Sequence, residues 1–194
     1  MPKIIKDVDI KILKVAEQLF EKNEYRKVDM KLIARKSGVA VGTLYNYYPN
    51  KKELFVRVFE NSWRETFVEV SKRVEKADNN EQKILAFMYG LYEALEKREI
   101  MLREFLGNNL FNLKPDIVLE SENRSINFRA MIIDEFAKLI KDINSRQTIN
   151  FAEGFEKRLA GTFSITIWGM IITYPEQRER NYEYLKSIVK HLYG

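Results

Sequence analysis

The residue types that support covalent chemistry are nearly absent from this chain. It has no cysteine and a single histidine among 194 residues. Thiol nucleophiles, disulfide scaffolds, cysteine zinc sites and paired-histidine metal sites therefore cannot be assembled. No glycine-rich phosphate loop is present, and His191 reads as an ordinary residue of a terminal helix, so no catalytic residue, metal ligand or cofactor is assigned and the chain is expected not to be an enzyme. A different kind of chemistry is written into residues 38–50, GVAVGTLYNYYPN, which carry no charge at all. Around them, Lys22 through Arg57 holds nine basic residues against three acidic ones, Glu24, Asp29 and Glu53. An uncharged segment can approach base edges in a groove while cations on its flanks grip phosphates.

The elements that must position that segment follow from local signals. Glycine and proline are scarce, at 8 and 4, and apolar residues recur at helical spacing almost everywhere, so the fold class expected is all-α. Val8, Ile12, Val15, Leu19 and Phe20 form the stripe of a first helix, about Asp7 to Lys22. Asp29 can cap a short second helix, Met30 to Ser37, which stops at Gly38. A third, Val41 to Tyr48, makes barely two turns before Pro49, and Asn50 with Glu53 resembles a capping box opening a fourth. Two short helices joined by a glycine-containing turn make a helix-turn-helix, the second helix being the one that enters the major groove.

Helical geometry sorts that second helix. Leu44 and Tyr48, four apart, turn to the core and leave Thr43, Tyr45, Asn46 and Tyr47 on the other sides. Asn46 can make a bidentate pair with adenine, Thr43 can bond a base edge or touch a thymine methyl, and tyrosine hydroxyls suit phosphate oxygens. Lys51 and Lys52 fall in the first turn of the next helix, where each cation is disfavoured by roughly 0.3 to 1 kcal/mol unless an anion is near. A DNA phosphate would supply that anion.

The pattern of Ala16, Leu19 and Phe20, then Tyr25, Ile33-Ala34, Gly38-Val39, Gly42-Thr43-Leu44-Tyr45, Tyr47-Tyr48, and Lys51 with Leu54 resembles the DNA-binding head of the TetR family of transcriptional regulators over residues 8–55. The resemblance implies base or groove contact from Lys31, Val41, Gly42, Thr43 and Asn46, and phosphate contact from Tyr45, Tyr47 and Lys51. Three positions depart from the family pattern. Glu24 replaces a usual glycine before the aromatic, Ser37 a usual alanine, and Ala40 a usual serine or threonine cap, the last costing about 1 kcal/mol of helix stability.

Beyond Phe59 the resemblance fades and the charge surplus ends. Residues 1–60 hold 13 basic against 8 acidic side chains, and the remainder 20 against 20. A basic head on a neutral body is the layout of a polyanion-binding module joined to a second module. The domains expected are residues 1–60, the helix-turn-helix head, and 61–194, a helical effector-binding and dimerisation body. Helices are expected over about 82–97, 118–143, 151–174 and 176–192. Seventeen of the 24 aromatic residues lie in the body, suggesting an apolar or aromatic ligand pocket with Trp63, Phe67, Phe87, Tyr89, Phe105, Phe128 and Trp168 as candidates. Gly161, Ser164, Trp168, Gly169 and Ile172 on one helix, with Leu185 and Val189 on the last, are candidates for a two-fold homodimer interface.

The longest uncharged stretch, Leu159 to Pro175, spans 17 residues with six Gly, Ser and Thr among them. It reads as a buried helix rather than a membrane span. The N-terminal MPKIIKDVDIKILKV lacks the apolar core of a signal peptide, so a cytoplasmic location is expected. These features lead to a homodimeric DNA-binding regulator, a repressor released from a palindromic operator by a small molecule. The competing reading is a helical small-molecule-binding protein whose head has lost operator recognition.

Overall fold

The computed structural model describes residues 6–106, 118–121, 124–144 and 152–193. The helices are α1 (Lys6–Lys22), α2 (Met30–Ser37), α3 (Val41–Tyr47), α4 (Lys51–Glu75), α5 (Asn80–Lys97), α6 (Glu99–Leu106), α7 (Phe128–Asn144), α8 (Phe155–Thr173) and α9 (Arg178–Tyr193), with a 3-10 turn at Tyr25–Lys27. The all-α expectation holds, with one exception. Val118–Ser121 (β1) and Arg124–Asn127 (β2) pair antiparallel, Leu119 opposite Ile126, where a helix from Val118 was expected. The reason lies in the spacing. Residues 120–125, ESENRS, offer no apolar side chain for a helical stripe, and the 3.6 period that drives α7 begins only at Phe128.

The chain forms two compact units, Met1–Arg64 with Arg98–Phe128, and Glu65–Lys97 with Arg129–Gly194. Residues 98–128, counted with the body on sequence grounds, thus cluster with the head. In the first unit, Ile12, Ala16, Phe20, Ile33, Ala34, Leu44, Leu54 and Phe55 form the core, each at most 1% exposed. Phe55 packs edge-on against both Phe20 and Tyr25, with ring centroids 4.9 and 5.3 Å apart.

A buried polar junction joins α1, α4 and the start of α6 within this unit. The Ser62 hydroxyl donates to Glu17 at 2.5 Å and accepts from the Arg98 guanidinium, whose Nε lies 2.7 Å away. The guanidinium also stacks over Trp63 at 5.1 Å. Arg98 is only 4% exposed. A buried guanidinium is tolerated because its donors meet oxygen and its face meets an aromatic ring.

The second unit is built on α5, which packs against α8 and α9. Phe87 stacks on Phe136 at 4.2 Å, and Phe136 on Phe163 at 5.7 Å. The hydroxyls of α8 are absorbed locally, Thr162, Ser164 and Thr166 each bonding the carbonyl four residues back. That is how so polar a stretch stays helical. No helix among the described residues is long and apolar enough to cross a membrane.

Two predictions follow from this unit. A Cβ on Gly90 would lie 2.5 Å from Val70 Cγ2, so Gly90→Ala should destabilise by about 1 to 3 kcal/mol in denaturant unfolding, and Val70→Ala in the same chain should recover much of that loss. Tyr182 stacks on Tyr89 at 4.4 Å, and burial, reinforced by nearby Glu93, pushes its hydroxyl up to about 12. The folded state thus holds the phenol proton more tightly than the unfolded chain, whose tyrosine titrates near about 10. This contribution should be complete below pH 10 and disappear as pH climbs towards 12. Melting temperature against pH should show the decline, and Tyr182→Phe should flatten it.

Candidate nucleic-acid interface

The turn between α2 and α3 is set by the backbone requirements read from the sequence. Asp29 Oδ1 accepts from the Leu32 N–H at 2.6 Å, capping α2. Gly38 ends it at φ 65°, a left-handed conformation that disfavours any side chain with a Cβ. Lys11 of α1 lies across this turn, its Nζ 3.3 Å from where a Gly38 Cβ would sit, a contact no local pattern announces. Ala40 gives α3 no side-chain cap, as its residue type requires. Asn50 Oδ1 accepts from the Glu53 N–H at 2.9 Å, which opens α4. Glu24 is accommodated in the 3-10 turn at φ −55°, so the glycine it replaces is not needed there. Lys27 bonds it and holds its carboxyl below the ordinary value.

Of the seven residues of α3, Leu44 alone is buried. Leu44 is fully buried and Tyr48, just past the end, is 7% exposed, as their spacing predicts. Tyr48 donates its hydroxyl to Asp9 of α1. On the other side, Val41 is 38% and Tyr45 46% exposed. Gly42 and Asn46 are exposed, Thr43 and Tyr47 are half-buried, and Lys31 is exposed on the first turn of α2. Residues 41 and 45, and 42 and 46, are neighbours one turn apart, so four of the proposed contacts form one outward patch. Lys22, Arg26, Lys27, Arg35, Lys36 and Lys52 are exposed in the same unit.

Lys51 is placed differently from the expectation. It is half-buried, and its ammonium donates to the backbone carbonyls of Tyr25 and Val28, both at 2.9 Å, while lying 4.1 Å from the centre of the Tyr25 ring. The anion thought necessary beside the start of α4 is replaced by two carbonyl oxygens of the preceding turn. Sequence reasoning missed them because they lie 26 and 23 residues away.

Residues 12–58 match the family described as bacterial regulatory proteins, tetR family. Over these residues the chain is similar to that family. It is 23% identical over 116 residues to the uncharacterized HTH-type transcriptional regulator YhgD of Bacillus subtilis, a match covering 59% of this chain and 61% of that protein's length. Among solved structures it resembles the fatty acid degradation regulator FadR of Bacillus halodurans, with a TM-score of 0.66 at 17% identity over 100% of this chain and 97% of the other. It also resembles FadR of Bacillus subtilis in complex with stearoyl-CoA, with a TM-score of 0.64 at 14% identity over 95% and 97%. At such identities the likeness is one of fold.

Among the described residues, the pocket and interface candidates are not gathered into single sites. Trp63 belongs to the first unit, fully buried beside Phe59 and Arg98. In the second unit Phe87 joins the Phe136 stack, whereas Tyr89, two residues on, faces α9 through Tyr182. Phe67 is half-buried and Trp168 7% exposed. The side chains of Phe105 and Phe128 lie outside the described residues. The second unit does contain a cleft of about 600 Å³ between α7 and the start of α8, where Met131 and Ala137 lie among the charged residues Asp134, Glu135, Lys138, Lys141, Glu156 and Lys157.

Of the dimer candidates, Leu185 and Val189 are completely buried, because their stripe on α9 faces α5. Gly161 and Trp168 are buried as well. These four close the protomer's own core. Ser164, Gly169 and Ile172 are half-exposed, and Ile165 at 45% and Tyr184 at 56% are exposed.

Gly42 separates packing from partner contact. It is exposed, and a Cβ there would meet nothing within 4 Å. A helical glycine costs about 0.5 to 1 kcal/mol relative to alanine. Gly42→Ala should therefore raise stability by up to that amount in denaturant unfolding while weakening duplex binding. A loss of stability would show that internal packing, not a partner, dictates the glycine.

Proposed function

We propose that this chain is a DNA-binding transcriptional regulator, acting as a repressor on a palindromic operator in the cytoplasm and released from it by a small molecule. The observation that carries the reading is the division of α3. A helix with no charged residue keeps Val41, Gly42, Tyr45 and Asn46 outward, while its inner face, Leu44 with Tyr48, is buried. Asn46 and Thr43 read base edges, Val41 and Gly42 allow close approach to the groove, Lys31 adds a groove contact, and Tyr45 and Tyr47 bond phosphates. The departures at Glu24 and Ala40, on which a non-DNA-binding role would rest, remove none of these side chains.

The protein works as a homodimer, since two recognition helices about 34 to 36 Å apart are needed to read successive major grooves. The outward residues Ser164, Ile165, Gly169, Ile172 and Tyr184 form the face offered to a second copy. The effector is an apolar molecule taken up by the second unit. Its aromatic wealth supports that choice, and so does the stearoyl-CoA bound by the Bacillus subtilis neighbour. Effector binding favours an arrangement of the two heads that no longer matches the operator spacing.

The test begins with duplexes selected from random DNA by the wild-type protein. Asn46→Ala should then lose roughly 1 to 3 kcal/mol of discrimination at one base pair of each half-site and leave the other positions unchanged. A variant that binds all duplexes with uniformly altered affinity would contradict the assignment of Asn46 to base reading.

A further inference from the structure

The geometry around Lys51 points to a role other than phosphate contact. We infer that Lys51 is a positioning residue that fastens the first turn of α4 to the turn preceding α2, and that the phosphate contact at the start of α4 is made by Lys52. This deepens the DNA-binding reading and rests on it.

An ammonium has three donors and no acceptor. Two of Lys51's donors are directed at the carbonyls of Tyr25 and Val28 at 2.9 Å, and the Tyr25 ring lies 4.1 Å from the nitrogen. A phosphate reaching this ammonium would find only the third donor, beside the Tyr25 ring, and taking either of the other two would release the turn that carries Asp29, the cap of α2. Lys52, one residue on, is exposed and shares the same helix start, so it brings a cation there without dismantling anything.

A second contact shows what the fastening achieves. Three residues before Lys51, Tyr48 donates its hydroxyl to Asp9 of α1. The end of the recognition helix and the beginning of α4 are thus held from two directions, to α1 and to the 3-10 turn, by side chains flanking Pro49 and Asn50. The connection between α3 and α4 is left little freedom to pivot. Leu44 supplies the buried inner face of α3 but does not by itself fix its rotation, so these two contacts set which side chains face the groove.

The experiment compares Lys51→Met and Lys52→Met in the full chain, on a duplex selected by the wild-type protein and on a scrambled duplex, across a range of salt concentrations and well below the melting temperature. For Lys51→Met the expected result is a lower melting temperature and an unchanged salt slope. The ratio of selected to scrambled affinity should fall by about tenfold, since specific contacts lie on α3. Lys52→Met should keep its melting temperature and its ratio but flatten the salt slope by about one.

The result that would overturn the inference is a Lys51→Met protein with unchanged melting temperature and unchanged ratio whose salt slope drops by about one. Should Lys51→Met not fold, the wild-type side-chain ammonium signals decide by NMR. The Lys51 signal should be protected from exchange in the free protein and unmoved by duplex, with Lys52 responding. A Lys51 signal that shifts on adding duplex while Lys52 stays put would overturn it equally. A wild-type protein that selects no duplex defeats the proposed function instead, while the melting and exchange measurements still report on the fastening.

Discussion

A helix of seven residues cannot hold itself. In isolation it lies below the length at which backbone hydrogen bonds repay the cost of nucleation, and α3 lacks even a side-chain cap. Its existence and its orientation are properties of its surroundings. Leu44 removes one face from water, Gly38 lets the chain turn into it, Tyr48 ties its end to Asp9, and Lys51 secures the turn against which α4 begins. The arrangement has a functional logic. On the proposed function, the outward residues of α3 are left for a partner, and the stabilising contacts come from residues just outside them.

The same partition applies to charge. Counted from sequence, the first 60 residues have 13 basic side chains and a surplus of five, which suggests a uniformly cationic head. Several of those cations are engaged within the fold. Arg57 bonds Glu60 at 3.0 Å, Lys27 bonds Glu24 at 2.9 Å, and Lys51 has its two carbonyls. The long-range field that steers a polyanion depends on the total, because engaged charges still contribute to it. Counterion release depends on the smaller set that touches phosphate. A basic head can therefore attract DNA with more charge than it uses to hold it.

How much of this was legible in the sequence depends on the range of the interaction concerned. The cap at Asp29, the left-handed stop at Gly38, the bounds of α2 and the start of α4 are local, and residue types within four positions determine them. The inward turn of Leu44 and Tyr48 was legible for the same reason. Periodicity also gave α1, α5, α8 and α9 to within a few residues, failing at 118–127, where the apolar spacing lapses. Contacts between distant segments were not legible. Nothing near Lys51 names Tyr25 and Val28, nothing near Arg98 names Ser62 and Glu17, and the α9 stripe through Leu185 and Val189 looks the same whether it meets α5 or a second protomer. A pattern of apolar residues specifies that a face is covered, not what covers it.

Aromatic residues carry that ambiguity furthest. A list of rings in a helical body invites a pocket, because rings line ligand sites. They also pack against one another, and the structure shows which alternative holds for several of them. Phe87, Phe136 and Phe163 satisfy each other face to face, and Tyr89 is satisfied by Tyr182. A ligand that entered among the first three would have to repeat, contact for contact, the dispersion it displaced. An effector therefore gains more where side chains are not already paired. For the second unit this directs attention away from the stacked core.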